Sequence, residues 1–181
     1  MANICSFSMK VRGEHDNIEK FYNAMMQQGT VYMGRGADAS IDYDDEDGTA
    51  QIEGWCKWSV ASAMVSNAVS MRTEPNTWYW GDGVDSSSLE FVTLFEACKK
   101  WNVDMEVYSE EPGCCFQEHY LVIDGDIVCD DCTEWNEYCI EDFETKEEAE
   151  SELGIEITDE EWNSGDTFIS RGGFEYWDFE I

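Results

Sequence analysis

The chain is poor in positive charge, in proline and in histidine. Its 181 residues include only 10 Lys and Arg against 41 Asp and Glu, which gives a formal net charge of −31. Such a protein lacks the cationic grooves with which proteins bind nucleic acid directly, and it would repel a polyanionic substrate. With only two prolines, a proline-rich linker is excluded. With two histidines and no glycine-rich phosphate loop, the common catalytic motifs are missing.

Long apolar runs are also missing. No segment approaches the roughly 18–20 consecutive apolar residues of a membrane-spanning helix. Residues 1–10 lack the basic and apolar regions of a signal peptide. We therefore predict a cytoplasmic protein. In that reducing compartment, the eight cysteines are expected to be thiols or metal ligands rather than disulfides.

The chain does contain enough apolar material for a core. Hydrophobic residues make up 43% of it and aromatic residues 14%, whereas disordered acidic chains have few aromatics. The acidity is concentrated in residues 101–181, which hold 26 acids and only Lys146 and Arg171 as bases. A field of this density steers encounter with a basic partner. The alternatives are a solvated surface that only keeps the protein soluble, and adaptation to salt.

The hydrophobic pattern predicts an α+β protein, with an antiparallel sheet and helices on one of its faces. We expect one domain over residues 1–140 and an acidic extension over 141–181 that packs on it, because the extension contains several apolar anchors. The predicted strands are 3–12, 38–44, 49–58, 103–108, 116–123, 127–128 and part of 167–181. The predicted helices are 16–28 with Asp16 as N-cap, 59–71, a helix capped by one of residues 86–88 that ends near Trp101, 145–153 and 158–163.

Two parts of the chain resemble small phage- and plasmid-borne proteins with a YubB-type ferredoxin-like domain. They are the opening residues Met1-Ala2-Asn3-Ile4-Cys5-Ser6 and the block from Lys100-Trp101 through Glu106–Gly113 and Glu118-His119-Tyr120 to the Gly125 hairpin. The resemblance covers about residues 1–140. It implies a ferredoxin-like fold and an origin in a mobile element.

Together with its charge and size, this resemblance makes the chain similar to phage-encoded anti-CRISPR inhibitors, several of which are small acidic proteins that occupy nucleic-acid channels. The similarity implies a non-enzymatic inhibitor in the host bacterial cell. The expected partner is a basic, nucleic-acid-handling protein, with the RNA-guided DNA nuclease of a type II CRISPR system as the best candidate. That nuclease holds its heteroduplex in a positively charged channel, where an acidic protein could block DNA loading.

Two acidic segments are predicted to bind that partner. One is the turn of the predicted hairpin, and the other leads into the predicted helix 145–153. Their candidate contact residues are Asp44, Asp45, Glu46 and Asp47, and Glu141, Asp142, Glu144, Glu147 and Glu148.

The cysteine spacing predicts a structural zinc site. Cys129 and Cys132 form a CxxC motif, and a hairpin at Asp124-Gly125 would bring His119 opposite them. Cys114 is the predicted fourth ligand. Cys115 is its alternative. Because Cys115 and His119 would lie about 13 Å apart in a fully extended strand, the chain must still be a loop at Cys114 or Cys115, and Cys139 is the substitute if it is not. The competing interpretation is a set of buried thiols without metal.

Two other functional classes fit parts of the pattern. The first is a metal-dependent enzyme of a mobile element, which would use Cys129, Cys132 and His119 as ligands and Glu118 to activate water. The second is an acidic accessory domain with no inhibitory role. Because no carboxylate pair stands out as acid and base, the sequence favours a binding protein over an enzyme.

Overall fold

The protein was studied as a computed structural model, which describes residues 4–26, 38–57, 59–64, 92–174 and 177–181. Its strands are β1 (Ile4–Arg12), β2 (Asp38–Asp44), β3 (Thr49–Lys57), β4 (Asp104–Glu111), β5 (Phe116–Ile123), β6 (Asp126–Cys139) and β7 (Phe168–Gly172). Its helices are α1 (His15–Met26), α2 (Ala61–Met64), α3 (Leu94–Trp101), α4 (Lys146–Leu153) and α5 (Asp159–Asn163). Within these residues, no helix is both long enough and apolar enough to cross a bilayer.

The seven strands form one sheet in the order β2-β3-β1-β4-β5-β6-β7, and every pairing is antiparallel. Alternate residues of β1, namely Cys5, Phe7, Met9 and Val11, are buried. They share one core with buried residues of the strands β3, β4 and β5 and of the helices α1, α2 and α3. The α+β class and the antiparallel sheet are therefore as expected. We call the face that packs against these helices the core face, and the opposite face the outer face.

Helix boundaries are set by capping groups. Thr93 caps α3: its hydroxyl accepts from the Glu96 N–H, and the Glu96 carboxylate accepts from the Thr93 N–H. The helix ends at Asn102, which has left-handed backbone angles. The helix thus begins at Leu94, and the prediction of one helix running from residues 86–88 to Trp101 is wrong, because Thr93 is extended. Residues 86–88 themselves, and the predicted helical residues 65–71, lie outside the described residues. Asp16 does not cap α1, because the helix already begins at His15.

Residues from Ile140 onward build a second, smaller core. Ile140, Ala149, Ile157 and Ile169 are its buried members, contributed by the segments around β6, α4, α5 and β7. The predicted helices 145–153 and 158–163 are both present, with Thr145 and Thr158 as caps. The predicted closing strand is β7. The acidic extension thus carries its own apolar centre and adds a strand to the sheet.

A bidentate ion pair ties α5 to β7. Arg171 donates to both carboxylate oxygens of Glu161, at 2.7 and 3.1 Å. This pair, with the Thr158 N–H, lowers the pKa of Glu161 to about 2. The pKa of Glu161 is lower in the folded protein than in the unfolded chain. The pair therefore stabilises the protein fully at pH values above the unfolded pKa, and this contribution is lost as the pH falls through about 2.

We therefore expect Glu161→Gln to lower the free energy of unfolding at neutral pH by at most about 1 kcal/mol, since the pair is partly exposed. The difference from wild type should shrink progressively with acidification. Urea titrations at several pH values would measure it, with Glu160→Gln on the same helix as the control. A Glu161→Gln deficit that does not depend on pH would contradict the ion-pair assignment.

Candidate functional site

The outer face of the sheet carries a cluster of polar and aromatic side chains on the neighbouring strands β4, β5 and β6. Glu106 and Tyr108 on β4, His119 on β5, and Cys129 and Asp131 on β6 form it. We call these five residues the outer-face cluster. Tyr108 lies directly opposite His119, and His119 directly opposite Asp131. Cys129 lies diagonally from His119, opposite Leu121. The cluster therefore depends on the pairing of three neighbouring strands.

A β-bulge brings Cys129 to this face. Between Leu121 and Val122 the pairing with β6 shifts by one residue, so that Val128 has no direct partner. Had the register of the Asp124-Gly125 hairpin continued unchanged, Cys129 would pair with Tyr120 on the core face. The extra residue moves it to the face of His119 instead. Bulges commonly redirect side chains in this way.

Glu106, His119 and Cys129 form a continuous chain of polar contacts. Glu106 is fully buried, and its Oε1 lies 2.9 Å from His119 Nε2. Because a carboxylate can only accept, Nε2 must carry a proton. In a neutral imidazole, Nδ1 then has a lone pair, and it faces the Cys129 sulfur at 3.4 Å. The arrangement is a thiol, an imidazole and a buried carboxylate in line.

Aromatic rings hold the imidazole in place. Tyr108 stacks on His119 with ring centroids 4.0 Å apart and planes 2° from parallel. Phe174 contacts both rings edge-on. Trp177 stacks on Tyr108, and Phe179 meets it edge-on. The ring of His119 is therefore fixed by stacking as well as by Glu106.

The C-terminal residues 177–181, which we call the strap, cover this part of the outer face. The Glu180 N–H donates to Glu106 Oε2 at 2.6 Å, and the Tyr108 hydroxyl donates to the Asp178 carbonyl at 3.3 Å. Both Glu106 oxygens are thus hydrogen-bonded. The strap completes the environment in which Glu106 is buried.

Asp131 competes with His119 for the thiol of Cys129. Its Oδ2 lies 3.3 Å from the Cys129 sulfur, and a thiol has only one proton to donate. Desolvation by burial, followed by the bond to Asp131 and the nearby negative charges, raises the pKa of Cys129 to about 11. Cys129 is therefore a protonated thiol at neutral pH.

We expect Asp131→Asn to lower the pKa of Cys129, because the variant removes a charge that opposes thiolate formation. Desolvation persists in the variant, so the pKa should stay above its ordinary value. The pH dependence of iodoacetamide alkylation at Cys129, followed on the isolated peptide, measures this. Asp130→Asn is the matched control, since Asp130 pairs with Tyr120 on the other face. Equal shifts in both variants would contradict the assigned contact.

The predicted zinc ligands are only partly brought together. His119 and Cys129 are adjacent, whereas Cys132 pairs with Glu118 on the core face. The CxxC motif is therefore split by the alternation of β6. Cys114 is exposed in the β4–β5 turn. In the part of the chain that the structure describes, no three His, Cys, Asp or Glu side chains are grouped to hold a metal ion.

Glu118 does not join the outer-face cluster. It is buried on the core face, where its Oε2 accepts from the Val60 N–H at 2.9 Å and from the Ser109 hydroxyl at 2.9 Å. Desolvation by burial raises its pKa. The role of Glu118 as a water-activating neighbour of His119, as the metal-enzyme hypothesis requires, does not fit this position.

The predicted partner-binding residues are all on the surface. Asp44, Asp45, Glu46, Asp47, Glu141, Asp142, Glu144, Glu147 and Glu148 are exposed without exception. The first group comprises the last residue of β2 and the β2–β3 turn, and the second leads into and forms the first turn of α4.

The acidic β2–β3 turn has defined geometry. Asp44 Oδ1 accepts from the backbone N–H groups of Glu46 and Asp47, at 3.1 and 3.3 Å. Asp45 pairs with His15 at the start of α1, at 2.9 Å, and His15 stacks on Tyr43. These contacts fix the backbone of the turn and the side chains of Asp44 and Asp45.

Glu106, Tyr108 and Asp131 were not predicted as site residues from the sequence. The signal that points to Glu106 and Tyr108 is the polar alternation of Asp104, Glu106, Tyr108 and Glu110 along a strand, which places them on one face. Comparisons with known proteins add no further identification. No family model matches the chain, and no curated protein or solved structure shows significant similarity to it.

Proposed function

We propose that this protein is an anti-CRISPR-type inhibitor that binds a basic, nucleic-acid-handling host protein and blocks DNA loading by stoichiometric contact. The observation that carries the proposal is the exposure of all nine predicted acidic contact residues in a chain of net charge −31. The best candidate partner is the RNA-guided nuclease of a type II CRISPR system, whose positive channel holds the heteroduplex. Binding suffices for this function, and no turnover is needed.

The positions of the two acidic surfaces support this proposal. The β2–β3 turn lies at one end of the sheet, and α4 packs beside β7 at the other end. With seven strands in sequence, the two ends are about 30 Å apart. A channel that receives about 20 base pairs is long enough to contact both. Lys146 and Arg171 are engaged with Asp159 and Glu161, so they leave the α4 carboxylates largely uncompensated.

We also infer a ferredoxin-like domain in residues 1–140, to which residues 141–181 add an acidic extension. In its support, the described elements follow the order β-α-β-β-α-β from β1 to β4, apart from the short α2. The four strands lie in the order β2-β3-β1-β4. Independent folding of residues 1–140 is not needed for the inhibitory proposal.

The proposal is tested by titrating the protein into target-DNA cleavage by a purified type II nuclease with its guide RNA. A turn variant (D44N/D45N/E46Q/D47N) and an α4 variant (E141Q/D142N/E144Q/E147Q) each remove four charges. Glu148 stays, because its carboxylate accepts from the Glu144 N–H. With a few tenths of a kcal/mol per surface charge, we expect each variant to inhibit about tenfold more weakly. Inhibition by the wild type should also weaken steeply with added salt.

The control removes four scattered exposed carboxylates, Glu19, Glu53, Asp126 and Asp166, so that the net charge changes equally. It should inhibit nearly as well as the wild type. Equal losses in all three variants would indicate that only net charge matters. No inhibition at low salt would exclude this nuclease, and a pull-down from host lysate at low and high salt would then identify any other basic partner.

Zinc remains a prediction from the cysteine spacing. His119 and Cys129 are close enough to share a metal ion, but binding by Cys132 as well would require β6 to rearrange locally. If zinc is bound, it would fix the segment 114–132 rather than catalyse. Metal analysis of the purified protein, before and after dialysis against a chelator, tests it.

A further inference from the structure

We propose that Cys129 is a nucleophilic thiol for acyl transfer, with His119 as its general base and Glu106 as the residue that positions the base. This inference goes beyond the proposed inhibitory binding and does not depend on it. It assigns chemistry to the outer-face cluster, whereas the acidic binding surfaces lie on the β2–β3 turn and around α4.

The geometry matches what such a nucleophile needs. The base must be within hydrogen-bond reach of the nucleophile, and a third group must orient the base. Here the Cys129 sulfur lies 3.4 Å from His119 Nδ1, and His119 Nε2 lies 2.9 Å from Glu106. The same roles recur in the cysteine–histidine arrangements of unrelated folds. The other histidine of the chain, His15, is paired with Asp45 at the start of α1.

The orientation is maintained by more than one contact. Glu106 is fully buried, its second oxygen is held by the Glu180 N–H, and Tyr108 stacks on the imidazole. His119 is largely covered, with 12% of its side chain exposed. Cys129 is partly exposed, so an acyl group can reach the sulfur from solvent while the base and its carboxylate stay out of water.

The reaction needs only the ester substrate, the thiol, His119 and water. As the sulfur attacks the carbonyl carbon of an ester, His119 Nδ1 takes the thiol proton. The bond to the leaving oxygen breaks, and His119 returns the proton to that oxygen, which leaves a thioester on Cys129. Water then hydrolyses the thioester: His119 Nδ1 takes a proton from the attacking water, the C–S bond breaks, and His119 gives this proton to the sulfur, which releases the carboxylic acid. Because the attack of a thiol on a carbonyl carbon releases the S–H proton, a base within reach of the sulfur is needed, and His119 Nδ1 is in that position.

The surroundings of the thiol favour a cationic acyl substrate. Asp131 lies 3.3 Å from the sulfur and is exposed, and Glu180 on the strap is exposed as well. These carboxylates attract a positive charge next to the carbonyl and repel a negative one. We therefore assign the substrate class as acyl esters that carry a cationic group.

The test uses the full chain with a chelator present and 4-nitrophenyl 4-guanidinobenzoate as a cationic acyl probe. Peptide mass spectrometry gives the acylation rate of each cysteine. Cys132 is an internal control, because it is more exposed than Cys129, lies on the same strand and faces away from His119. We expect Cys129 to react at least about tenfold faster than Cys132, since general-base catalysis contributes about 10²–10⁴-fold. Cys129 reacting no faster than Cys132 in the wild type would overturn the proposal without any variant.

Two variants separate base and positioning roles. His119→Gln should slow Cys129 about 100-fold and leave Cys132 unchanged. Glu106→Gln should slow the acylation of Cys129 alone. If Glu106 served only to stabilise the fold, the variant would loosen the structure and speed the acylation of both cysteines. An unchanged ratio of the two rates in either folded variant would refute the assigned role.

The same assay tests the substrate class and keeps the two proposals apart. A succinyl 4-nitrophenyl ester should react more slowly at Cys129 than the guanidinobenzoate, and the reverse order would overturn the cationic assignment. Cys129→Ser should lose acylation and retain any inhibition of the nuclease. Failure of one proposal is thus distinguishable from failure of the other.

Discussion

Replacing Glu106 with alanine should lower the free energy of unfolding by about 3 kcal/mol. The variant removes the acceptor for His119 Nε2 and for the Glu180 N–H at once, and both donors would remain in a largely dry environment. The strap should loosen as a result, because Glu106 is one of its two hydrogen-bonded anchors. Urea denaturation measures the loss, and hydrogen exchange of the backbone of residues 177–181 reports the loosening of the strap.

Two further variants separate hydrogen bonding from burial. Glu106→Gln retains an acceptor oxygen, so its free energy of unfolding should fall less than that of the alanine variant. Glu111 is buried to a similar degree, but its Oε2 has no hydrogen-bond partner among the described residues. Glu111→Gln should therefore cost little or even stabilise the protein, since it removes an unsatisfied charge. Comparable large losses at both positions would show that burial alone, and not the Glu106 contacts, sets the cost.

Gly172→Ala should destabilise the protein by about 3 kcal/mol or more. Gly172 ends β7 with a φ of +77°, and an added methyl group would meet the carbonyl oxygen of Glu134 on β6. Two costs combine: left-handed backbone strain, and a collision with a backbone atom that the β6–β7 pairing holds in place. The expected result is separation of β7 from β6, with loss of the second core.

Gly165 provides the matched control for this prediction. It also has a left-handed conformation, with a φ of +85°, but nothing lies within 4 Å of an added methyl group. Gly165→Ala should cost only the backbone strain of about 1–2 kcal/mol. Thermal unfolding of both variants measures the difference. Similar costs at the two glycines would show that the contact with Glu134 is relieved by a small shift.

Local signals predicted the helices of the extension well, because capping acts over three or four residues. Thr145 and Thr158 each accept from an N–H three residues later, as their spacing to Glu148 and Glu161 indicates. Strand β6 was predicted far too short, at 127–128. The acids and cysteines after Val128 interrupt the apolar pattern of the strand, yet pairing with β5 and then with β7 keeps the whole of Asp126–Cys139 extended.

The outer-face cluster could not be predicted because it depends on register. The position of Cys129 follows from a one-residue bulge at Val128, and a slip of one residue exchanges the two faces of a strand. Sequence spacing suggested that Cys129 and Cys132 point the same way, which is the usual arrangement in loops. In an extended strand, residues three apart point in opposite directions.

The interior place of β1 in the sheet, between β3 and β4, has a kinetic consequence. Its partner β4 begins about ninety residues later, since Arg12 pairs with Asp104. The two strands can pair only after the chain between Arg12 and Asp104 has brought its ends together. The conformational entropy of that chain is lost before the strand contacts form. Proteins dominated by such distant pairings fold in about milliseconds to seconds. A nascent chain that stops before β4 would leave one side of β1 unpaired, as a target for chaperones and proteases.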